Sequence, residues 1–227
     1  MKRIFVILLL AAMPGLSLAQ NSEVRSVDSF RGIRAGEGID VYLKKGTKES
    51  VKVEANVDLS SVVTEVSGTY LKIHMRNTNN RWKNVNVKVY VTYVDVDKLA
   101  VSSAARIYAE ETIKARNLDI SASSAGAVDV SVEVSELSVS ASSAGDVELK
   151  GKAKSATYDS SSAGQIDADD LEAENAMAEA SSGGSVRLNV TNALTARASS
   201  GGDIRYRGSP SKSITNSTSG GSVRKSS

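Results

Sequence analysis

No cysteine occurs among the 227 residues, which excludes disulfides, thiol chemistry and a lipoprotein type of export signal. There is one histidine, so a zinc site would need mostly carboxylates, and no close cluster of them offers one. Proline occurs twice, tryptophan once, and aromatic residues make up only 4% of the chain. With so few large side chains, any core is thin and built from small and β-branched residues. That favours repeated narrow layers over one globular interior. No basic tract points to nucleic acid, and no acidic tail suggests a solvating arm.

What is present begins with an address. Lys2 and Arg3 precede an unbroken apolar stretch from Ile4 to Ala12, Pro14 and Gly15 break it, and Ser17-Leu18-Ala19 supplies small residues. These are the three regions of a secretory signal peptide, residues 1–19, with cleavage expected after Ala19. The stretch is short for a membrane span, and no second one follows, so no span is expected once the signal is removed. Losing Lys2 and Arg3 brings a formal charge of +2 close to neutrality.

A hexapeptide, Ser-Ser-small-Gly-x-(Val/Ile), recurs along the rest. It reads SSAGAV at Ser123, SSAGDV at Ser142, SSAGQI at Ser161, SSGGSV at Ser181 and SSGGDI at Ser199, with variants SSAARI at Ser102 and TSGGSV at Thr218. A spacing near 19 is too short for a helical-hairpin repeat and suits one coil of a parallel β-helix. Leu118-Asp119-Ile120-Ser121-Ala122 and Leu137-Ser138-Val139-Ser140-Ala141 alternate with period two, as strands do. Residues 166–180 have helical composition, yet they lie between motifs one coil apart and are read as strand. The sequence predicts an all-β, right-handed parallel β-helix, or solenoid, with coils of about 19 residues.

Three expectations attach to the motif. Gly126, Gly145, Gly164, Gly184, Gly202 and Gly221 are expected to turn the chain at positive φ. The small residue before each lets coils approach to about 4.8 Å. The paired serines are expected to form hydroxyl ladders between coils. Residues 99–227 make up the serine/glycine repeat, and residues 20–98 an N-terminal β section continuous with it. That section lacks the serine motif but alternates in Val41-Tyr42-Leu43, Val51-Lys52-Val53, Leu71-Lys72-Ile73 and residues 85–91, with Gly36, Gly38, Gly46 and Gly68 marking turns.

The segment Phe30-Arg31-Gly32-Ile33, then Gly38-Ile39-Asp40-Val41-Tyr42-Leu43, Val51-Lys52-Val53-Glu54 and Gly68-Thr69-Tyr70-Leu71-Lys72-Ile73, followed by serial SSAG and SSGG coils, resembles the head-GIN domain family. These are signal-bearing proteins common in Bacteroidetes that carry the label of auto-transporter adhesin. The resemblance covers nearly all of the mature chain. It implies a right-handed β-helical fold and an envelope or surface location. An auto-transporter brings its own membrane barrel of strands about ten residues long. The sequence stops at Ser227, directly after the last motif, so no self-translocation is expected, and periplasm and cell surface or exterior stay open alike.

For chemistry, the residue after the Val/Ile of each motif forms an outward column: Tyr108, Asp129, Glu148, Asp167, Arg187, Arg205 and Arg224. One reading is a solvated face. A second is a cation site along Asp129, Glu148 and Asp167, with Asp146 nearby. A third is a strip for anionic glycan or lipid headgroups along Arg187, Arg205 and Arg224. Trp82, in a polar loop with Arg81 and Asn80, either stacks on a sugar ring or folds back to cover the solenoid. His74 alternates with apolar neighbours and so points outward. Gly36-Glu37-Gly38 lacks the third glycine and the helix of a phosphate loop. No catalytic residue, metal ligand or cofactor is expected. The function expected is non-enzymatic binding or adhesion at the cell envelope or surface, with a polysaccharide or another envelope protein as partner. A polysaccharide-active enzyme on the same fold and a structural rod assembling end to end stand as alternatives.

Overall fold

A computed structural model describes residues 21–76 and 85–226; the signal-peptide reading of residues 1–19 and the sugar-stacking reading of Trp82 lie outside the described residues. The elements are β-strands joined into one sheet, apart from a single 3-10 turn at Leu59–Ser61. In order they are β1 Asn21–Arg25, β2 Gly32–Ala35, β3 Asp40–Lys45, β4 Ser50–Ala55, β5 Val62–Ser67, β6 Tyr70–Met75, β7 Val87–Tyr93, β8 Lys98–Val101 and β9 Arg106–Ala109. Then come β10 Ile113–Ala122, β11 Ala127–Ala141, β12 Asp146–Ser160, β13 Gln165–Ala180, β14 Ser185–Ala198, β15 Asp203–Arg207, β16 Lys212–Ser217 and β17 Ser222–Lys225. Among the described residues no helix is long and apolar enough to cross a membrane.

The repeat folds as a parallel β-solenoid. From β10 to β14 each long strand pairs in parallel register with the next, so Val128 lies over Val147, Ile166 and Val186. The segment of helical composition is strand β13 throughout. Alternation sends Val, Ile, Leu and Ala inward, and the inner side chains are almost wholly buried. Each buried Val, Leu or Ile contributes roughly 1.5–3 kcal/mol relative to exposure. Asp169 is the extra residue of a 20-residue coil, and the register shifts there by one.

The corners work differently from the sequence expectation. Ser142 to Gly145 forms a tight turn closed by Gly145 N–H donating to Ser142 O at 2.8 Å, and the same bond recurs from coil to coil. Positive φ falls on the two central residues, Ser143 (49°) and Ala144 (60°), and not on Gly145. This is the φ signature of a type I′ turn. The motif glycine is needed for room instead. A Cβ on Gly145, Gly164 or Gly202 would stand 2.3 Å from the carbonyl oxygen of the preceding coil. At Gly126 the nearest atoms are 3.0 Å away, so the stack is looser at its start. There Ala105 and Ile39 occupy the equivalent site.

Neighbouring corners are joined by backbone bonds, for example Ser142 N–H to Ala122 O (3.0 Å), Ala125 N–H to Ser143 O (3.2 Å) and Asp146 N–H to Gly126 O (2.9 Å). Among the described residues no hydrogen bond links corner serine hydroxyls of adjacent coils, so the expected hydroxyl ladder is replaced by a backbone one. An L-residue held at left-handed φ costs about 1 kcal/mol. Ala144→Gly is therefore expected to raise stability by about 0.5 kcal/mol after the entropy glycine gains in the unfolded chain. A urea midpoint unchanged or lowered would contradict this.

The N-terminal section belongs to the same stack, out of sequence order. β2 is paired in parallel with β6 on one side and β8 on the other, and β3 likewise lies between β7 and β9. The chain thus lays one coil, departs, returns to build the coil above it, and then passes to the coil below. Gly36-Glu37-Gly38 is the corner of that first coil: Glu37 and Gly38 have φ of 62° and 70°, and Gly38 N–H donates to Ser103 O at 2.9 Å. Antiparallel strands close this end, β4 on β7, β1 on β4 and β5 on β6. They cover the uppermost parallel coil, whose open edge would otherwise invite pairing.

Candidate functional site

The charged column predicted from the repeat is real and longer than the sequence shows. Asp129, Glu148, Asp167, Arg187, Arg205 and Arg224 are register partners coil by coil. Above them Asp129 is paired with Tyr108, Tyr108 with Tyr42 and Tyr42 with Tyr90. One face therefore carries three tyrosines, three acids and three arginines in a single line. Strand alternation positions all of them, because each follows an inward Val or Ile by one residue. The reading from sequence missed Tyr42 and Tyr90. The signal available was the offset, since Tyr42 follows the Gly36-Glu37-Gly38 corner at the same distance as Asp129 follows its own.

The tyrosines form a ladder. Tyr42 stacks on Tyr90 and on Tyr108, with ring centroids 5.3 Å apart in each pair and ring planes 20–21° from parallel. Such stacks contribute about 0.5–1.5 kcal/mol each beyond area burial. Lys52 Nζ lies 5.7 Å over the Tyr90 ring and is held by Glu54 at 2.7 Å. The hydrogen bond from Lys52 lowers the Glu54 carboxyl below its ordinary range. Both ring faces of Tyr42 and Tyr90 are thus occupied, which leaves their edges and hydroxyls to make outside contacts.

The acids and arginines are locally paired. Glu148 meets Lys150 at 2.8 Å, and Asp167 meets Arg187 at 2.5 Å. Arg205 and Arg224 share Asp203, at 3.0 and 3.6 Å. The three arginine side chains stay half exposed, so each is screened by water and replaceable by another partner. A depression of about 460 Å³ opens beside the corner, lined by Asp146, Glu148, Gln165, Asp167, Ser185 and Arg187. Desolvation there, followed by Glu148 and Asp167, raises the Asp146 carboxyl, against the opposing pull of Arg187. The structure brings Asp129, Glu148, Asp167 and Asp146 onto one face. Among the described residues, however, no group of three or more His, Asp or Glu side chains is placed to hold a metal ion.

Elsewhere His74 is half buried, its Nδ1 lying 3.0 Å from Met75 O. A second groove of about 450 Å³ crosses four coils on another face, lined by Asp97, Asn117, Asp119, Glu136, Ser138 and Thr157. In neither place do a nucleophile, a base and an orienting group form a hydrogen-bonded chain among the described residues. What the charged face offers chemically is repeated contact, with one side chain of the column at every coil and the same kind over runs of three coils.

Comparison with known proteins follows the same lines. A family model described as "Putative auto-transporter adhesin, head GIN domain" matches residues 29–210. Among curated proteins none matches. Among solved structures, a "putative adhesin" from Bacteroides fragilis is similar with a TM-score of 0.82 at 23% identity, over 91% of this chain and 97% of its own. A "putative lipid binding protein" from Parabacteroides distasonis has a TM-score of 0.70 at 20% identity, over 92% and 97%. A "putative adhesin" from the same species has 0.67 at 21%, over 91% and 97%. At these identities the likeness is one of fold.

Proposed function

Because the chain belongs to the head GIN domain family of auto-transporter adhesin description, we propose that it is a non-enzymatic adhesion protein of the cell envelope or surface. It reaches that location by the export signal of residues 1–19, and holds its partner along a solenoid face. The observation that carries this reading is the in-register column from Tyr90 to Arg224. A polymer lying along the solenoid axis meets one side chain of the column at each coil, about 4.8 Å apart, in successive runs of three tyrosines, three acids and three arginines. Affinity then accumulates from several weak contacts and needs no deep pocket.

The partner fitting the lower half is an acidic polysaccharide. The guanidinium groups of Arg187, Arg205 and Arg224 match carboxylates in a bidentate way that lysine does not. Protein spanning residues 20–227 is expected to bind acidic polysaccharide on a glycan array or in a pull-down, more weakly as salt rises. Arg205→Glu is expected to weaken that binding about tenfold, corresponding to about 1.4 kcal/mol. Absence of binding to any glycan or peptidoglycan fraction would overturn the reading. Protease treatment of intact cells separates surface display from a periplasmic location.

A further inference from the structure

We propose that two copies of this chain associate face to face and antiparallel through the charged column, as a weak, salt-sensitive dimer. The column reads Asp129, Glu148, Asp167, Arg187, Arg205, Arg224, with one residue per coil and every step in register. Its signs are antisymmetric about the midpoint between Asp167 and Arg187. A two-fold axis placed over that midpoint, parallel to the strands, reverses the order of coils and leaves each column facing itself. Asp129 then opposes Arg224 of the second copy, Glu148 opposes Arg205, and Asp167 opposes Arg187. By symmetry the contact holds six ion pairs, which is the self-complementary patch an isologous interface requires.

A second observation points the same way. Residues 127–180 hold twelve acids and three bases, a net −9, whereas residues 181–227 hold one acid and seven bases, a net +6. Only an antiparallel arrangement sets the acidic stretch of one copy against the basic stretch of the other; a parallel one opposes like charges. The intrachain pairs already present do not prevent this. They are half-exposed surface pairs of small individual worth, and a charge so held exchanges or shares partners at little cost.

The flanking columns limit the strength. Ala127 faces Ser222, Gln165 faces Ser185, and Ser131 and Asn189 are neutral, so the faces can approach. Beside the pair of Glu148 and Arg205, however, Asp146 faces Asp203 and Lys150 faces Arg207. Six coils at about 4.8 Å by three columns about 7 Å apart make a patch at the low end of specific interfaces. Dissociation in the range of tens to hundreds of micromolar is expected, on the order of transient contacts.

The test is sedimentation equilibrium without glycan, using the chain of residues 20–227, with circular dichroism confirming that each variant folds. The unaltered protein is expected to dimerise at low salt and to dissociate at about 0.5 M salt, where screening is nearly complete. Glu148→Arg and Arg205→Glu are each expected to raise the dissociation constant at least tenfold. The double variant, with both changes, is expected to recover the dimer. Within one chain these positions lie three coils, about 14 Å, apart, so rescue reports contact between copies. A protein monomeric at every concentration, or a double variant as weak as either single one, overturns the proposal. The glycan reading fails separately: the double variant still has a broken arginine run, so polysaccharide binding stays low while the dimer returns.

Discussion

Gly184→Ala is expected to cost about 3 kcal/mol or more and to unfold the coils that meet there, while Gly183→Ala, one residue earlier, costs only about 1 kcal/mol. The adjacent glycines do opposite jobs. Gly183 sits at φ +74° with nothing within 4 Å of a Cβ, and Ala125, Ala144 and Ala163 already occupy its position in earlier coils at φ near 60°. A methyl group there carries only the strain of left-handed backbone. Gly184 has no positive φ, but a Cβ would stand 2.4 Å from Ser160 O and 2.6 Å from its carbonyl carbon. Those atoms belong to the preceding coil's backbone, which is hydrogen-bonded along its length and cannot yield at one point. In a solenoid, stability is a sum of coils and the interfaces between them. Loss of amide protection in β13 and β14 before the rest of the chain is therefore the expected signature. Equal urea midpoints for the two variants would contradict this account of the corner.

Tyr158→Ala is expected to cost about 3–5 kcal/mol, the range for removing a large core ring, whereas Tyr158→Phe should gain about 1 kcal/mol. Tyr158 is fully buried in a column where its register neighbours are Val139 and Ala178. The small Ala178 and Ala156 leave room for the ring. Its hydroxyl has no hydrogen-bond partner among the described residues, and desolvation raises its pKa well above the ordinary value. Removing the oxygen keeps the packing and abolishes the unsatisfied donor. Ser160, two residues on, shows the contrast: it too is buried, but its Oγ donates to Gly164 O at 2.7 Å. If Tyr158→Phe lowers the melting temperature, the hydroxyl has a partner this account lacks.

The sequence by itself determined the period, the parallel strands, the inward and outward parity of the residues flanking each motif, and the order of acids and arginines along one face. Those follow from the two-residue alternation of a strand and from recurrence at a near-constant interval, both local properties of the chain. Only the tertiary structure decided that β2 and β3 lie between coils laid down later, which joins Tyr90 and Tyr42 to the charged column. Such placement depends on long-range pairing that no local pattern encodes, and the Gly36-Glu37-Gly38 corner lacks the serines that betray the others. The motif glycine was visible as a turn residue, but its reason was not: distance to the neighbouring coil is set by stacking, whereas sequence reports only the propensities of the turn. Likewise the column's pairing with Lys150, Asp203 and its own arginines arises from side chains two residues or a coil apart meeting in space.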